Sequence, residues 1–300
     1  MKANANPALT TAPLRWKAYL ELCKPRVVAL IVFTAIVGMF LSVPGMVPWQ
    51  PLAFGTLGIA LAASSAAAFN HYLDRHADAR MGRTHRRPLP QGELAPQHVL
   101  TFATLLAVAS MVILLLWVNW QTAALTFLSL IGYAVIYTVY LKHATPQNIV
   151  IGGAAGAIPP ILGSFAVLGN AHPNSILLFL IIFLWTPPHF WALAIAKRDE
   201  YAKVDIPMLP VTHGVEFTGL QVFLYTILLF VISLIPYLTH MSGLIYLLAA
   251  VILGGVFLYL SWQLRQHPDD RQLAMRTFGY SILYLMGIFA ALLVDHYLPL

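Results

Sequence analysis

Three oxygen-bearing side chains stand four residues apart in Asn70-His71-Tyr72-Leu73-Asp74-Arg75-His76-Ala77-Asp78, where an apolar run meets a basic one. On a continuing helix Asn70, Asp74 and Asp78 lie at i, i+4 and i+8, along one face at about 6 Å intervals. Such a row suits a hard cation such as Mg2+. Two carboxylates at this spacing repel each other by about a few tenths of a kcal/mol unless a positive group compensates. The plain alternative is a solvated helix end with Arg75 pairing Asp78 at i+3. Arg80, Arg83, Thr84, Arg86 and Arg87 follow, ahead of Pro88-Leu89-Pro90-Gln91-Gly92. Carboxylates that hold a metal beside guanidiniums that grip phosphate oxygens describe a diphosphate site. Membrane topology or anionic lipid headgroups also account for arginines in a loop. They do not account for the acids set among them.

A second acidic group, Lys197-Arg198-Asp199-Glu200-Tyr201 followed by Asp205, begins 125 residues after Asp74. If the two segments converge, each can hold one Mg2+ with a diphosphate bridging them, and the metals then stabilise the departing diphosphate. Polar and aromatic residues also interrupt the apolar runs between these groups. They are Tyr133, Tyr137, Thr138 and Tyr140, then Thr145-Pro146-Gln147-Asn148, then Trp185-Thr186-Pro187-Pro188-His189-Phe190-Trp191. Aromatic faces can shield an allylic cation and line a pocket for a flat apolar substrate; they also serve as interfacial belt residues. His189 lies inside an apolar run beside two prolines that remove helical hydrogen bonds. Two readings stand for it: a substrate-site group, including an iron ligand, or a neutral ring donating to a freed carbonyl. Haem handling by one of the other histidines, including His172, His240 and His296 on the far side, also stays open.

The elements that position these groups follow from composition. Of 300 residues, 59% are hydrophobic and 9% charged, with mean hydropathy +0.76. An ordinary soluble domain carries roughly 25% charged residues, so a soluble enzyme, a disordered chain and a disulfide scaffold are all excluded. An all-α polytopic membrane protein remains. The single cysteine, Cys23, leaves no internal disulfide and no thiol metal motif, and no cleavable signal peptide is evident. Nine apolar spans are predicted, near 27–47, 51–69, 99–117, 122–141, 149–168, 175–196, 219–238, 244–264 and 277–298. All 17 lysines and arginines then fall on one side, as do ten of the 11 acids, Asp295 excepted. The positive-inside rule makes that side cytoplasmic, with the N-terminus inside and the C-terminus periplasmic. It also accounts for the net charge of +6 without nucleic acid. One domain spans residues 1–300. The first 12 residues are expected to form a mobile tail, and the loops near 70–98 and 197–218 to carry the active site.

Asn70-x3-Asp74-x3-Asp78 with a basic loop and a second acidic loop resembles the UbiA superfamily of intramembrane prenyltransferases. Further stretches place the resemblance among those members that farnesylate haem: Lys24-Pro25-Arg26, Met81-x-Arg83-Thr84-x2-Arg87-Pro88-Leu89-Pro90-x-Gly92, Tyr137-Thr138-x2-Leu141-Lys142, Thr145-Pro146-Gln147-Asn148-Ile149, the Trp185–Leu193 segment and Pro207-Met208-Leu209-Pro210-Val211. The superfamily's second motif usually has two aspartates four apart. Here Lys203 stands four after Asp199, leaving Glu200 and Asp205 as the alternatives.

The resemblance implies a UbiA-type bundle and a reaction of farnesyl diphosphate with a vinyl group of haem B. It implies Mg2+ held by Asn70, Asp74, Asp78, Asp199 and Glu200. Catalysis would rest on Asp74, Asp78, Arg83, Lys142 and Asp199, and substrate binding on Arg87, Tyr137, Asn148, His189, Lys197 and Arg198. The setting would be a bacterial inner membrane, with membrane lipid around the protein and both substrates coming from the bilayer. The product would pass to haem A synthase or into terminal oxidase assembly. Two rivals are a prenyltransferase acting on a quinone or chlorin precursor, which lacks the Thr-Pro-Pro-His segment, and a transporter or lipid-binding membrane protein that uses the polar clusters for ions. A transporter is expected to carry carboxylates near the bilayer midplane, and none are placed there.

Overall fold

The computed structural model describes residues 16–82 and 84–298, so Arg83 and the predicted tail over 1–12 lie outside the described residues. Every regular element described is helical. In lipid a helix satisfies its own backbone, which a lone strand cannot do. The helices are α1 (Trp16–Leu22), α2 (Pro25–Phe40), α3 (Thr56–Asp78), α4 (Pro96–Trp117), α5 (Trp120–Ile131), α6 (Asn148–Ala157), α7 (Pro159–Leu168), α8 (Pro173–Ala196), α9 (Arg198–Ala202), α10 (Leu209–Thr212), α11 (Gly214–Leu238), α12 (Leu244–Gln266) and α13 (Arg271–Tyr297). Prolines occupy the first turns of α2, α4, α7 and α8, where their missing N–H costs nothing. Asn119 and Asp270 cap α5 and α13 by accepting backbone N–H bonds.

Eight helical stretches are long and apolar enough to cross a membrane, or nine if the bent pair α1–α2 counts as one. This corrects the first predicted span, 27–47: α2 ends at Phe40, and 41–47 is a turn at the end of the bundle far from Asp74. Alone, α2 has 16 residues, about 24 Å, which is short of a bilayer core. The 50° bend comes at Lys24, a non-glycine residue in the left-handed region at φ 48°. A second correction concerns span two. The helix runs on to Asp78, so Asn70, Asp74 and Asp78 lie within α3 and the predicted loop 70–98 begins only after them. The predicted loop 197–218 holds α9, α10 and the start of α11. Beyond α5, residues Gly132–Leu141 coil as a wider π-helix that sequence periodicity does not reveal, and Lys142–Ala144 close the span as one α-turn.

Apolar side chains cover the outside, where lipid removes the penalty of exposure, and small residues set the closest approaches inside. A Cβ on Gly38 would overlap the Pro160 carbonyl oxygen, and one on Gly163 would overlap that of Ala35, so α2 and α7 touch backbone to backbone. Ser65 Oγ donates to the Ala103 carbonyl (2.7 Å) and Ser110 Oγ to that of Gly58 (2.6 Å), tying α3 to α4. Every described Lys and Arg falls at the end of the bundle that holds Asp74 and Asp78. The one acid at the far end, Asp295, is buried. It accepts from Ser242 Oγ (2.7 Å), Tyr246 N–H (3.2 Å) and Gly243 N–H, capping α12.

Candidate active site

Asn70, Asp74 and Asp78 share one face of α3 and are 6%, 7% and 4% exposed. The positive groups that the carboxylate spacing requires come from three other segments. Lys24 Nζ, swung in by the left-handed turn between α1 and α2, donates to Asn70 Oδ1 at 2.7 Å. Asn70 Nδ2 donates to Asp74 Oδ2 (2.7 Å), which also receives Lys142 Nζ (2.7 Å) from the end of the π-helical span. Arg87 reaches Asp78 Oδ2 at 2.5 Å from the loop after α3. That loop turns back because Thr84 Oγ donates to the Asp78 carbonyl (3.0 Å) and Arg87 N–H to the Thr84 carbonyl (3.0 Å). The alternative pairing of Arg75 with Asp78 does not form: Arg75 donates to the Tyr72 carbonyl and lies over the Tyr72 ring.

The π-helical segment supplies one wall. Thr138 Oγ donates to the Tyr133 carbonyl five residues back (2.9 Å), and Asn70 Nδ2 lies 3.5 Å from Thr138 Oγ. Tyr137 stacks on Tyr133 and packs so closely on Gly152 that a Cβ there would overlap its ring. π-Turns widen a helix and often mark functional sites. Asn148 is fully buried; its Nδ2 donates to the Thr145 carbonyl, while its Oδ1 has no partner, and neither has the Nε1 of nearby buried Trp191.

The second acidic segment reaches the first loop through Glu200. A Cβ on Gly82 would sit 3.8 Å from Glu200 Oε2, and Met81 packs in one buried cluster with Tyr201, Val204 and Trp191. Lys197 pairs with Glu200 at 3.1 Å. Asp199 turns outward instead, to Arg271 (2.5 Å) and Arg198 (3.7 Å), and Arg198 also reaches Asp269. The hydrogen bond from Arg271 holds the exposed Asp199 carboxyl below the usual range.

His189 is buried on α8. Its ring stacks between Trp185 and Phe278, and its Nδ1 lies 2.6 Å from Ser281 Oγ, which donates its own proton to the Phe278 carbonyl. A serine hydroxyl on α13 therefore takes the place of the freed carbonyl expected as the partner of this ring. Three groups at the acid cluster are not singled out by sequence reasoning. Lys24 and Thr138 enter there within the stretches that carry the resemblance, with no role assigned, and His71 only as a member of the Asn70–Asp78 segment. The helical spacing to Asp74 and Asp78 is the available signal for His71.

The donor set is all hard oxygen, as Mg2+ requires. Among the described residues no three His, Cys, Asp or Glu side chains form a ready cage. Each of the two carboxylates already faces one cation, Asp78 with Arg87 and Asp74 with Lys142, and Lys24 stands beside them on Asn70. Mg2+ usually takes one or two carboxylates and completes its shell with substrate phosphates and water. The cluster therefore fits an anion that arrives with its own metal.

The sequence model of the UbiA prenyltransferase family matches residues 31–286. The chain belongs to this family. It is 64% identical over 287 residues to the protoheme IX farnesyltransferase of Methylococcus capsulatus, covering 96% of each chain. It is 61% identical over 284 residues to that of Nitrosococcus oceani, covering 95% of each. Among solved structures, a digeranylgeranylglyceryl phosphate synthase superposes with TM-score 0.77 at 18% identity, over 94% of this chain and 98% of that one. A UbiA homologue from Archaeoglobus fulgidus bound to DMAPP and Mg2+ gives 0.63 at 16% identity, over 92% and 99%. These two likenesses bear on the fold, a UbiA-type membrane bundle.

Proposed function

We propose that the chain transfers the farnesyl group of farnesyl diphosphate to a vinyl group of haem B, releasing diphosphate and giving haem O. The observation that carries this is near-full-length identity of 64% to a protoheme IX farnesyltransferase, in a chain whose acid cluster is matched to an anion. Arg87, Lys142 and Lys24 bind diphosphate oxygens; Arg83, in the same loop, is placed with them by sequence. Asn70, Asp74, Asp78 and Glu200 would hold Mg2+, with Asp199 as the further acid of the second motif, and the ion bound there would neutralise charge on the leaving diphosphate. The allylic carbon–oxygen bond breaks and the vinyl carbon attacks the allylic carbon. Water adds to the resulting cation beside the porphyrin and loses one proton, leaving a hydroxyethylfarnesyl side chain. Tyr133 and Tyr137 present faces that stabilise the allylic cation and keep water from it until alkylation. Asn148, Lys197 and Arg198 orient the substrates.

The whole chain acts as one catalytic domain in a bacterial inner membrane. Its acid cluster lies at the cytoplasmic face and its C-terminus is periplasmic, a reading that the one-sided charge supports. Haem O then passes to haem A synthase or terminal oxidase assembly. The test is extraction of haems from cells with and without the protein, separated by hydrophobicity. A farnesylated haem appearing only with the protein is expected; identical profiles overturn the reading.

A further inference from the structure

A groove of about 570 Å3 opens beside the bend between α1 and α2. Its walls are mainly apolar, with Trp16 and Leu20 on α1; at its exposed edge Lys17 and Arg26 outnumber Glu21, leaving the edge net basic, and Lys24 lies on its wall. Its inner side is closed by His71 and by Arg87, the same Arg87 that pairs with Asp78. The volume falls in the range of small-molecule sites. His71 is 2% exposed, and neither ring nitrogen has a hydrogen-bond partner. Imidazole carries one donor and one lone pair, and burial of both without partners is rare unless a ligand completes them. On α3, His71 stands three residues before Asp74 and seven before Asp78, which puts all three on one face. A molecule seated against His71 therefore borders the acid cluster.

We propose that this groove receives the haem acceptor, with His71 as an axial ligand to its iron and Lys17 and Arg26 facing its propionates. This rests on the farnesylation reading above. Neutral imidazole is a good iron ligand, and a planar porphyrin dicarboxylate matches an apolar slot with a basic rim. His189 does not line this groove; its Nδ1 bonds to Ser281 and its ring stacks on Trp185 and Phe278. Prenyl diphosphates and anionic lipids are also amphipathic anions, but neither draws on an imidazole lone pair through a metal.

The test is titration of the full-length protein in detergent with haem B, followed by its visible spectrum, beside farnesyl diphosphate binding measured separately. His71→Ala is expected to lose about tenfold or more in haem affinity, together with the bands of nitrogen ligation, and to keep farnesyl diphosphate binding. His71→Met is expected to bind haem with a displaced Soret band, which decides the matter should the alanine variant fail to fold. Iron-free protoporphyrin is expected to bind wild type and His71→Ala alike. Wild-type haem spectra and affinity in both variants overturn the proposal. So does release of haem from wild type by phosphatidylglycerol vesicles with no dependence on His71, which assigns the groove to lipid. The farnesylation reading fails separately, if the wild type makes no haem O from both substrates.

Discussion

Lys142 Nζ lies 2.7 Å from Asp74 Oδ2 across 68 residues of sequence, with side chains only 13% and 8% exposed. Removing one partner of such a pair leaves a buried charge with its desolvation cost uncompensated. Lys142→Met and Asp74→Ala are each expected to lower kcat/KM for farnesyl diphosphate by about 10²-fold. The double variant should be little worse than either, since the two act as one unit. A double-mutant cycle in purified membranes measures this, and additive losses would show that the pair is not a functional unit.

Arg87 contacts Asp78 at 2.5 Å from a mostly buried position, while Arg86 beside it is exposed. A lysine cannot reproduce a guanidinium fork toward both carboxylate and phosphate. Arg87→Lys should raise KM for farnesyl diphosphate by about tenfold, whereas Arg86→Lys should leave it unchanged. Equal kinetics for both variants would reduce these arginines to topology.

Glu200 faces Gly82 of the first loop, while Asp199 points to Arg271 at the surface. Glu200→Gln is therefore expected to raise the Mg2+ concentration needed for half-maximal rate by about tenfold, and Asp199→Asn by less. Chelation of Mg2+ should abolish turnover in all three proteins. A larger Mg2+ defect in Asp199→Asn would reverse the assignment of the two acids.

Gly163 meets the Ala35 carbonyl so closely that any side chain must push α7 from α2. Gly163→Ala should destabilise the protein by about 1–3 kcal/mol, lowering its thermal midpoint in detergent. Gly156, with nothing near its Cβ position, is the control and should tolerate alanine.

Much of this protein is legible in its sequence because two of its signals are one-dimensional. Hydropathy marks spans by length, and helical spacing alone puts Asn70, Asp74 and Asp78 on one face, where α3 holds them. The boundaries read less well. Hydropathy starts the first span too late because the turn at Lys24 leaves no apolar signature, and it ends the second too early because α3 passes through polar residues to Asp78 without a breaker.

By itself the sequence determined the class of protein, the end of the bundle where its charges gather and the row of acids, since each depends on composition or on spacing within one element. Only the tertiary structure decided the partners of those acids. Lys24, Arg87 and Lys142 lie on different segments, and their ammonium and guanidinium groups reach Asn70, Asp78 and Asp74 through a left-handed turn, a folded-back loop and a π-helical span. It also separated Glu200 from Asp199 and tied His189 to Ser281. Adjacent residues on a short helix point in different directions, and a ring's partner on another helix is set by packing, which no local pattern encodes.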